Sequence, residues 1–581
     1  MKMKSGLYII TSMIAALSLA ACKGDDGDTI TEIVTEYETV TTPVYSGITV
    51  TGSGYPNIDT ETGLPTSAGY DNSAYCHDPM TINVDGTFYA FGSHFAVVKS
   101  DDLVKWEQVV GGDGSSWTYC VSVAQNLYGS GVTWWSDVLK NSWSFCAYDS
   151  SGNTISEDDY TETFPSTWAP SVIEIDGTYY MYYSYTSYFS GRSVIGRVSS
   201  SSITGPYANN EIILVSEGSK SGTGANGPNC IDEEVFRDAS GNLWMVYGSW
   251  YGGVFLIQLE EDGTYSGFDF DEEKENFDTD ATNGSGYFWS NATTTYVQDS
   301  SYYYGLTNSV YGKRLWYMGY RYGVEGPFIF YNKDTNYYYL MVSEGDLSTV
   351  YNMRVARCSI DDGVDGTYKG IQGGDVTSYT GTGGGRVGNK LAGNYHWAEE
   401  DTSYYALGHN SVISKENAAG QTEYFVVCHV RTALSGAHHI ETRQLYFNAA
   451  GWPVMSPNQY VGESLAAVTM AEAAGTWDVI EHEVDTVEDV AESSRYVFDE
   501  GGTIYEEDGE TQAGTWLITT NGSTSAGDDG GCYVTVVIND TTYEGVIAPA
   551  WRAYYPKGIW CMTATSSAGR PMWANQAGFD D

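Results

Sequence analysis

The chain has 581 residues, with 75 Asp and Glu against 27 Lys and Arg and a formal net charge of −48. So acidic a surface repels nucleic acid and anionic lipid, so neither is expected as a partner, whereas a neutral polysaccharide is compatible with it. Aromatic content of 14%, led by 49 Tyr, together with 67 Gly, favours strands and turns over helices.

In chain order, Lys2 and Lys4 precede an apolar run from Leu7 to Ala21 that is too short for a convincing transmembrane span and reads as an export signal over residues 1–21. The run ends Leu19-Ala20-Ala21-Cys22, which resembles a bacterial lipoprotein signal; that resemblance implies a lipid on Cys22 and contact with a membrane only through it. An ordinary signal peptide followed by a chance Cys is the alternative, and both send the chain out of the cytoplasm. Residues 22–70 are Asp, Glu, Thr, Gly and Ser with few large apolar groups, the composition of a solvated tether. Nine Cys are present; Cys532 with Cys561, and Cys120 with Cys146, are close enough in sequence to pair, although pairing cannot be deduced from spacing.

From residue 71 to 460 one pattern recurs five times. Asp85–Ser93, Asp176–Ser184, Ser240–Ser249, Thr335–Ser343 and Gly420–His429 each read as a tight turn followed by a β-branched and aromatic strand. Further strand-like segments follow each copy, such as Ser193–Ser199 and Asn352–Ser359, so each unit holds about four short strands, as one propeller blade does. The expected architecture is all-β: a five-bladed β-propeller with long insertions at 111–162, 260–320 and 363–403, followed over 461–581 by a small β-barrel or sandwich. Between them, Leu465–Ala474 reads as a short helix or linker. The aromatics of the last domain, among them Trp551, Trp560 and Trp573, could face a sugar or pack its core, with packing favoured.

A short motif precedes each copy of the repeat, and these motifs differ in chemistry: His77-Asp78-Pro79, Trp168-Ala169-Pro170, Ile231-Asp232-Glu233, Glu325-Gly326-Pro327 and Gly408-His409-Asn410. Repeats around one axis would bring Asp78, Asp232, Glu325, Trp168 and His409 to a common centre. Three crowded carboxylates repel, so at least one is expected to stay protonated near neutral pH. A carboxylic acid beside a carboxylate is the equipment for glycoside hydrolysis. A cage for a hard cation such as calcium is the competing use of the same oxygens. Trp168 suits the apolar face of a sugar, or blade packing.

At these residues the chain resembles glycoside hydrolase family 43, and within it the endo-α-1,5-L-arabinanases. The matching stretches are His77-Asp78-Pro79, Trp168–Val172, Asn229–Asp232, Tyr247–Gly253, Val324–Pro327 and Gly408–Val412, and the resemblance spans roughly residues 71–460. It implies an inverting hydrolase of internal α-1,5-arabinofuranosidic bonds in arabinan, with Asp78 as general base, Glu325 as general acid and Asp232 raising and orienting that acid. It further implies substrate contacts from His77, Asp78, Trp168, Asn229, Cys230, Ile231, Asp232, Gly248, Ser249, Trp250 and Tyr251, and a central Ca2+ near His409 held largely through water. A monomer is expected. Three departures stand out: Asp232-Glu233 where Asp-Pro is common, Gly326 where Ala is common, and Cys230 in place of a small Ala. Two further readings stay open: an exo-acting arabinofuranosidase or β-xylosidase on the same fold, and a surface glycan-binding lipoprotein without catalysis.

Overall fold

The structure is a computed structural model describing residues 74–577 apart from 111–165, 187–192, 217–227, 251, 269–287, 291–294, 298–310, 319–322, 378–387, 418–419, 486–489, 521–529 and 553–557. The export signal, Cys22, the tether, Tyr251 and the whole first insertion, with Cys120 and Cys146, lie outside the described residues. Five antiparallel sheets follow one another. The first blade is β1 (Met80–Val84), β2 (Thr87–Gly92), β3 (Ala96–Ser100) and β4 (Glu107–Val110), paired in that order. The second is β5 (Ser166–Ile175), β6 (Thr178–Thr186), β7 (Ser193–Ser200) and β8 (Ala208–Ser216). The third has β9 (Glu234–Arg237), β10 (Leu243–Tyr247) and β11 (Val254–Gln258). Its insertion carries a hairpin of β12 (Phe288–Ser290) and β13 (Thr295–Val297), and β14 (Lys313–Trp316) completes the sheet. The fourth is β15 (Val324–Asn332), β16 (Tyr337–Glu344), β17 (Asn352–Ser359) and β18 (Asn389–Ala392). The fifth is β20 (Ser403–Glu416), β21 (Thr422–Arg431), β22 (His439–Phe447) and β23 (Pro453–Met455), extended on its inner side by β19 (Tyr395–His396).

The repeats read from sequence are the first hairpin of each blade. Asp85-Gly86 and Asp176-Gly177 take positive φ at both positions, 52° and 92°, then 50° and 78°, the backbone a two-residue hairpin turn needs. Blade faces are apolar and interlock. Val235, Met245 and Phe255 of the third blade meet Tyr182, Ile195 and Leu214 of the second in one buried cluster. The ring closes in the same way: Phe88 and Val98 of the first blade pack with Phe425, Val427 and Ile440 of the fifth. A backbone bridge from Tyr75 to His439 adds hydrogen bonds to that closure.

Beyond the fifth blade lies the short helix α1 (Met470–Ala473), started by a reciprocal capping box between Thr469 and Glu472. A closed barrel follows, ordered β24 (Gly475–Glu481), β26 (Ser494–Phe498), β27 (Thr503–Glu506), β28 (Gln512–Thr519), β29 (Tyr533–Ile538), β30 (Thr541–Ala550), β31 (Ile559–Ser566) and β32 (Pro571–Ala577), with β32 returning to β24. A two-residue strand, β25 (Ala491–Glu492), leaves the barrel to pair in parallel with β19. Trp573 and Ile480 join the cluster of Met341, Leu407 and Phe447 in the fourth and fifth blades, so this barrel face is glued to the propeller. Trp551 and Trp573 are buried, which settles their role as packing. Cys532 and Cys561 are both free, buried thiols, so the disulfide contemplated for them does not form; they sit in one apolar cluster as small hydrophobes.

Candidate active site

One backbone device recurs at the inner start of every blade. Asp78, Ala169, Asp232, Gly326 and His409 all have positive φ, at 57°, 34°, 58°, 55° and 43°. For residues other than Gly this left-handed conformation costs about 1 kcal/mol and needs outside support. Where pairing can be followed, the same points are bulges in the ladder, between Trp168 and Ser171, Glu325 and Phe328, and Gly408 and Ser411. The sequence motifs therefore align on this kink with one correction: Asp78, Asp232 and His409 are the kinked residues themselves, while Trp168 and Glu325 stand one position before it.

The support comes from the last residue of each sequence repeat in the preceding blade. The Ala169 amide donates to Ser93 Oγ (2.9 Å), the Asp232 amide to Ser184 Oγ (3.0 Å) and the His409 amide to Ser343 Oγ (2.7 Å). At ring closure the Asp78 amide donates to His429 Nδ1 (3.2 Å). The remaining junction differs: the Gly326 amide donates to Asp232 Oδ2 (3.2 Å), while Ser249 Oγ turns to Glu325 Oε2 (3.3 Å). Each kinked motif is thus hung from its neighbour.

Three carboxyl groups converge in this ring. Asp78 accepts from Ser93 Oγ (2.5 Å) and lies 3.0 Å from His409 Nδ1, 3.1 Å from His77 Nε2 and 3.4 Å from His429 Nδ1. Burial works to raise its pKa, but the charge on His409 and its hydrogen bond prevail and hold it well below the usual carboxylate range. Burial opposes charge on His409 too, yet Asp78 and Asp232 lift it to about 9, so it is an imidazolium at neutral pH. Asp232 is pushed up to about 7, chiefly by burial, with Glu325 and Asp78 adding repulsion. Glu325 is also raised, chiefly by burial. One carboxylate and two carboxyls that compete for a proton share one centre. Glu325 is held at both oxygens: Trp250 Nε1 donates to Oε2 (2.7 Å) and the Tyr351 hydroxyl lies 2.6 Å from Oε1.

Gly326 explains itself here. A methyl at this position would come within 2.9 Å of the His409 ring, on a backbone that disfavours any side chain. Glu233, the other departure, is buried; Ser184 Oγ donates to it (2.5 Å), and burial pushes its pKa well up. It therefore serves as a neutral partner for the Ser184 strut.

The other expected site residues divide. Trp168 is half-buried beside its kink. Asn229 is buried and accepts from Ser193 Oγ (2.6 Å). The Cys230 and Ile231 side chains are buried, with Cys230 in the cluster between blades two and three, so anything they offer a ligand is backbone. Gly248 is glycine for space, since a Cβ would stand 2.2 Å from the Gly253 carbonyl oxygen. Ser249 and Trp250 have a nearer task than touching substrate, because both contact Glu325. His77 stacks on His438 at 3.8 Å and 6°. His77, His429 and His438 each offer a ring nitrogen within 4.8 Å of the others, a spacing at which they could hold a metal ion. Those nitrogens suit a borderline ion better than calcium. Sequence reading missed Tyr351, His438 and the Ser and His struts. The struts had a signal: four repeats end in Ser and the fifth in His429.

The family model for glycosyl hydrolases family 43 matches residues 139–312, and a model for a C-terminal lipocalin-like domain matches residues 457–574. An extracellular endo-alpha-(1->5)-L-arabinanase of Thermotoga petrophila is 30% identical over 526 residues, covering 86% of this chain and 93% of that protein. The chain belongs to glycoside hydrolase family 43. A second relative, extracellular endo-alpha-(1->5)-L-arabinanase 2 of Bacillus subtilis, is 29% identical over 523 residues, 86% of this chain and 92% of its own. The crystal structure of endo-1,5-alpha-L-arabinanase from Thermotoga petrophila matches with a TM-score of 0.65 at 28% identity, over 87% of this chain and 99% of that one. A family 43 glycoside hydrolase from Bacillus licheniformis matches at 0.65 and 27% identity, over 86% and 98%. Both matches run through propeller and barrel, so the family 43 architecture expected from the motifs is the one observed.

Proposed function

We propose that this family 43 enzyme is an inverting endo-arabinanase that cleaves internal α-1,5-L-arabinofuranosidic bonds of arabinan. The observation that carries the reading is the unequal treatment of three carboxyls in one ring, Asp78 and Asp232 buried and Glu325 half-buried. Asp78, kept ionised by His409 and Ser93, is suited to take a proton from water as that water attacks the anomeric carbon. Glu325, raised by burial, is suited to give its proton to the departing glycosidic oxygen. Asp232 competes with Glu325 for that proton and anchors the Gly326 amide, so it both tunes and positions the acid. Trp168 and the backbone of Asn229–Ile231 are the candidates for sugar contacts, with His77 beside the base.

The reading includes a calcium ion near His409, held largely through water. Its support is the local surplus of carboxylate charge, which a hard cation would offset while helping to keep Asp78 ionised. Export and a lipid anchor at Cys22 rest on the first 22 residues of the sequence. A monomer is proposed.

The test is to incubate the soluble chain, beginning just after Cys22, with linear arabinan and with arabinoxylan, and to size the products over time. A spread of arabino-oligosaccharides from arabinan supports the proposal. Monosaccharide alone would favour exo action, and binding without products would favour a glycan-binding lipoprotein. Chelation should lower the melting temperature or the rate if calcium is held; no change in either would remove it from the reading.

A further inference from the structure

Glu325 is held asymmetrically, and the asymmetry has a chemical consequence. The Oε2 atom receives the Trp250 indole N–H at 2.7 Å and Ser249 Oγ at 3.3 Å. An indole nitrogen can only donate, and a carboxyl oxygen accepts better without a proton than with one, so the acid's proton is favoured on Oε1. The neighbour of Oε1 is the Tyr351 hydroxyl at 2.6 Å, a group that can accept from a carboxylic acid or donate to a carboxylate. Tyr351 cannot drift from this place. It is 1% exposed, its ring faces His429 with centroids 5.8 Å apart, and a Cβ on Gly408 would come within 2.5 Å of its edge. Gly408 thereby leaves the room that Tyr351 fills.

We infer that Tyr351 is a positioning residue for the acid step: it directs the proton to Glu325 Oε1 and, once that proton has left, donates its own hydroxyl hydrogen to the carboxylate. The inference rests on the proposed hydrolysis and deepens it. In the step itself, the Oε1 proton moves to the glycosidic oxygen and the bond from the anomeric carbon to that oxygen breaks. Its electron pair stays on the departing oxygen, the water oxygen bonds to the anomeric carbon from the opposite face, and that water gives a proton to Asp78. Tyr351 loses no proton overall; it reorients the one it has. Its benefit is confined to a reaction in which the leaving oxygen needs protonation.

The experiment compares wild type with Tyr351→Phe on two substrates of equal sugar length. One has a sugar leaving group and the other 2,4-dinitrophenolate, which departs without a proton. The expected result is a fall in kcat of roughly tenfold to hundredfold on the sugar leaving group, the scale of a lost hydrogen bond to a charged group. On dinitrophenolate the change should be under about threefold, with KM for both within about twofold. Equal losses on both substrates would mean that Tyr351 only supports the fold, and no loss on either would mean that it does not act on the acid; each overturns the inference. Wild type inactive on both substrates would instead refute the hydrolase reading. The inference then stands or falls on 13C NMR of glutamate-labelled protein, where the Glu325 carboxyl, assigned by its absence in Glu325→Gln, should shift in Tyr351→Phe; an unmoved signal would sink it.

Discussion

At the scale of single residues, identical groups diverge because their surroundings differ. Asp78 and Asp232 share a residue type and a kinked backbone, yet one lies well below the usual carboxylate range and the other is lifted to about 7. The difference is the hydrogen-bonded imidazolium and hydroxyl beside Asp78, against mutual repulsion and burial at Asp232. The sign of the pH dependence follows. Activity needs Asp78 ionised, which holds throughout the range above the usual carboxylate pKa, and needs the Asp232–Glu325 pair to keep a proton, which is lost as pH rises through about 7. The rate is therefore expected to be flat on the acid side and to fall above neutrality. Asp232→Asn removes the competing charge, so its profile should turn down at a lower pH, with a lower plateau; a limb displaced upward would contradict the electrostatics. Glu325→Gln is expected to lose at least about a hundredfold on polymer while binding persists, as measured by initial rates and by arabinan binding.

At the scale of elements, the site is a product of the repeat. Four of the five blades carry near the end of the second strand an acceptor that holds the next blade's kink, and His429 takes that place where the last blade meets the first. His429→Leu leaves the Asp78 amide without an acceptor in a buried setting, a loss of about 1–3 kcal/mol. His429→Asn restores an oxygen near the Nδ1 position. Asn should therefore recover part of the stability and rate that Leu loses, read by thermal melts and kcat; identical variants would show that the strut is not what matters at this junction. Much of this was legible beforehand. The turn-and-strand repeats gave five blades, and the motifs before them named Asp78, Asp232, Glu325 and His409. The one-position offset of Trp168 and Glu325 was not legible, because a bulge is a matter of backbone path and its residue here is Ala169 or Gly326, neither of them distinctive. Tyr351 was hidden for another reason: it lies outside any repeat motif, and among 49 tyrosines only a contact distinguishes it. Trp250 was read as a substrate contact, and its further contact with Glu325 was not legible, since a sequence cannot say that an indole donates to an acid.

At the scale of the whole molecule, propeller and barrel share a buried seam, and the ring holds several carboxyls that folding keeps neutral. Glu463, just after the fifth blade, is fully buried; Val461 N–H donates to it (2.8 Å), and burial lifts it from 4.5 to about 7. A pKa raised by folding contributes stability that is complete below the unfolded value and is lost as pH climbs through the folded one. Glu463, Asp232, Glu233 and Glu234 all shift in this direction. The melting temperature is thus expected to fall above about pH 6.5, where the buried histidines whose pKa folding lowers, among them His77, His429 and His482, are neutral in both states and no longer oppose the trend. Glu463→Gln should flatten part of that fall; a variant with the wild-type slope would place the dependence elsewhere.

The roles of Asp78 and Glu325 are read most directly from the configuration of the first product. Proton NMR of wild-type enzyme acting on linear arabinan, followed from the first minutes before mutarotation scrambles the anomers, reads which face the water attacked. If Asp78 activates water opposite a leaving group protonated by Glu325, the new reducing ends appear first as the β anomer. New reducing ends that appear first as the α anomer would mean that an enzyme carboxylate attacked carbon, and the roles given to Asp78 and Glu325 would be wrong.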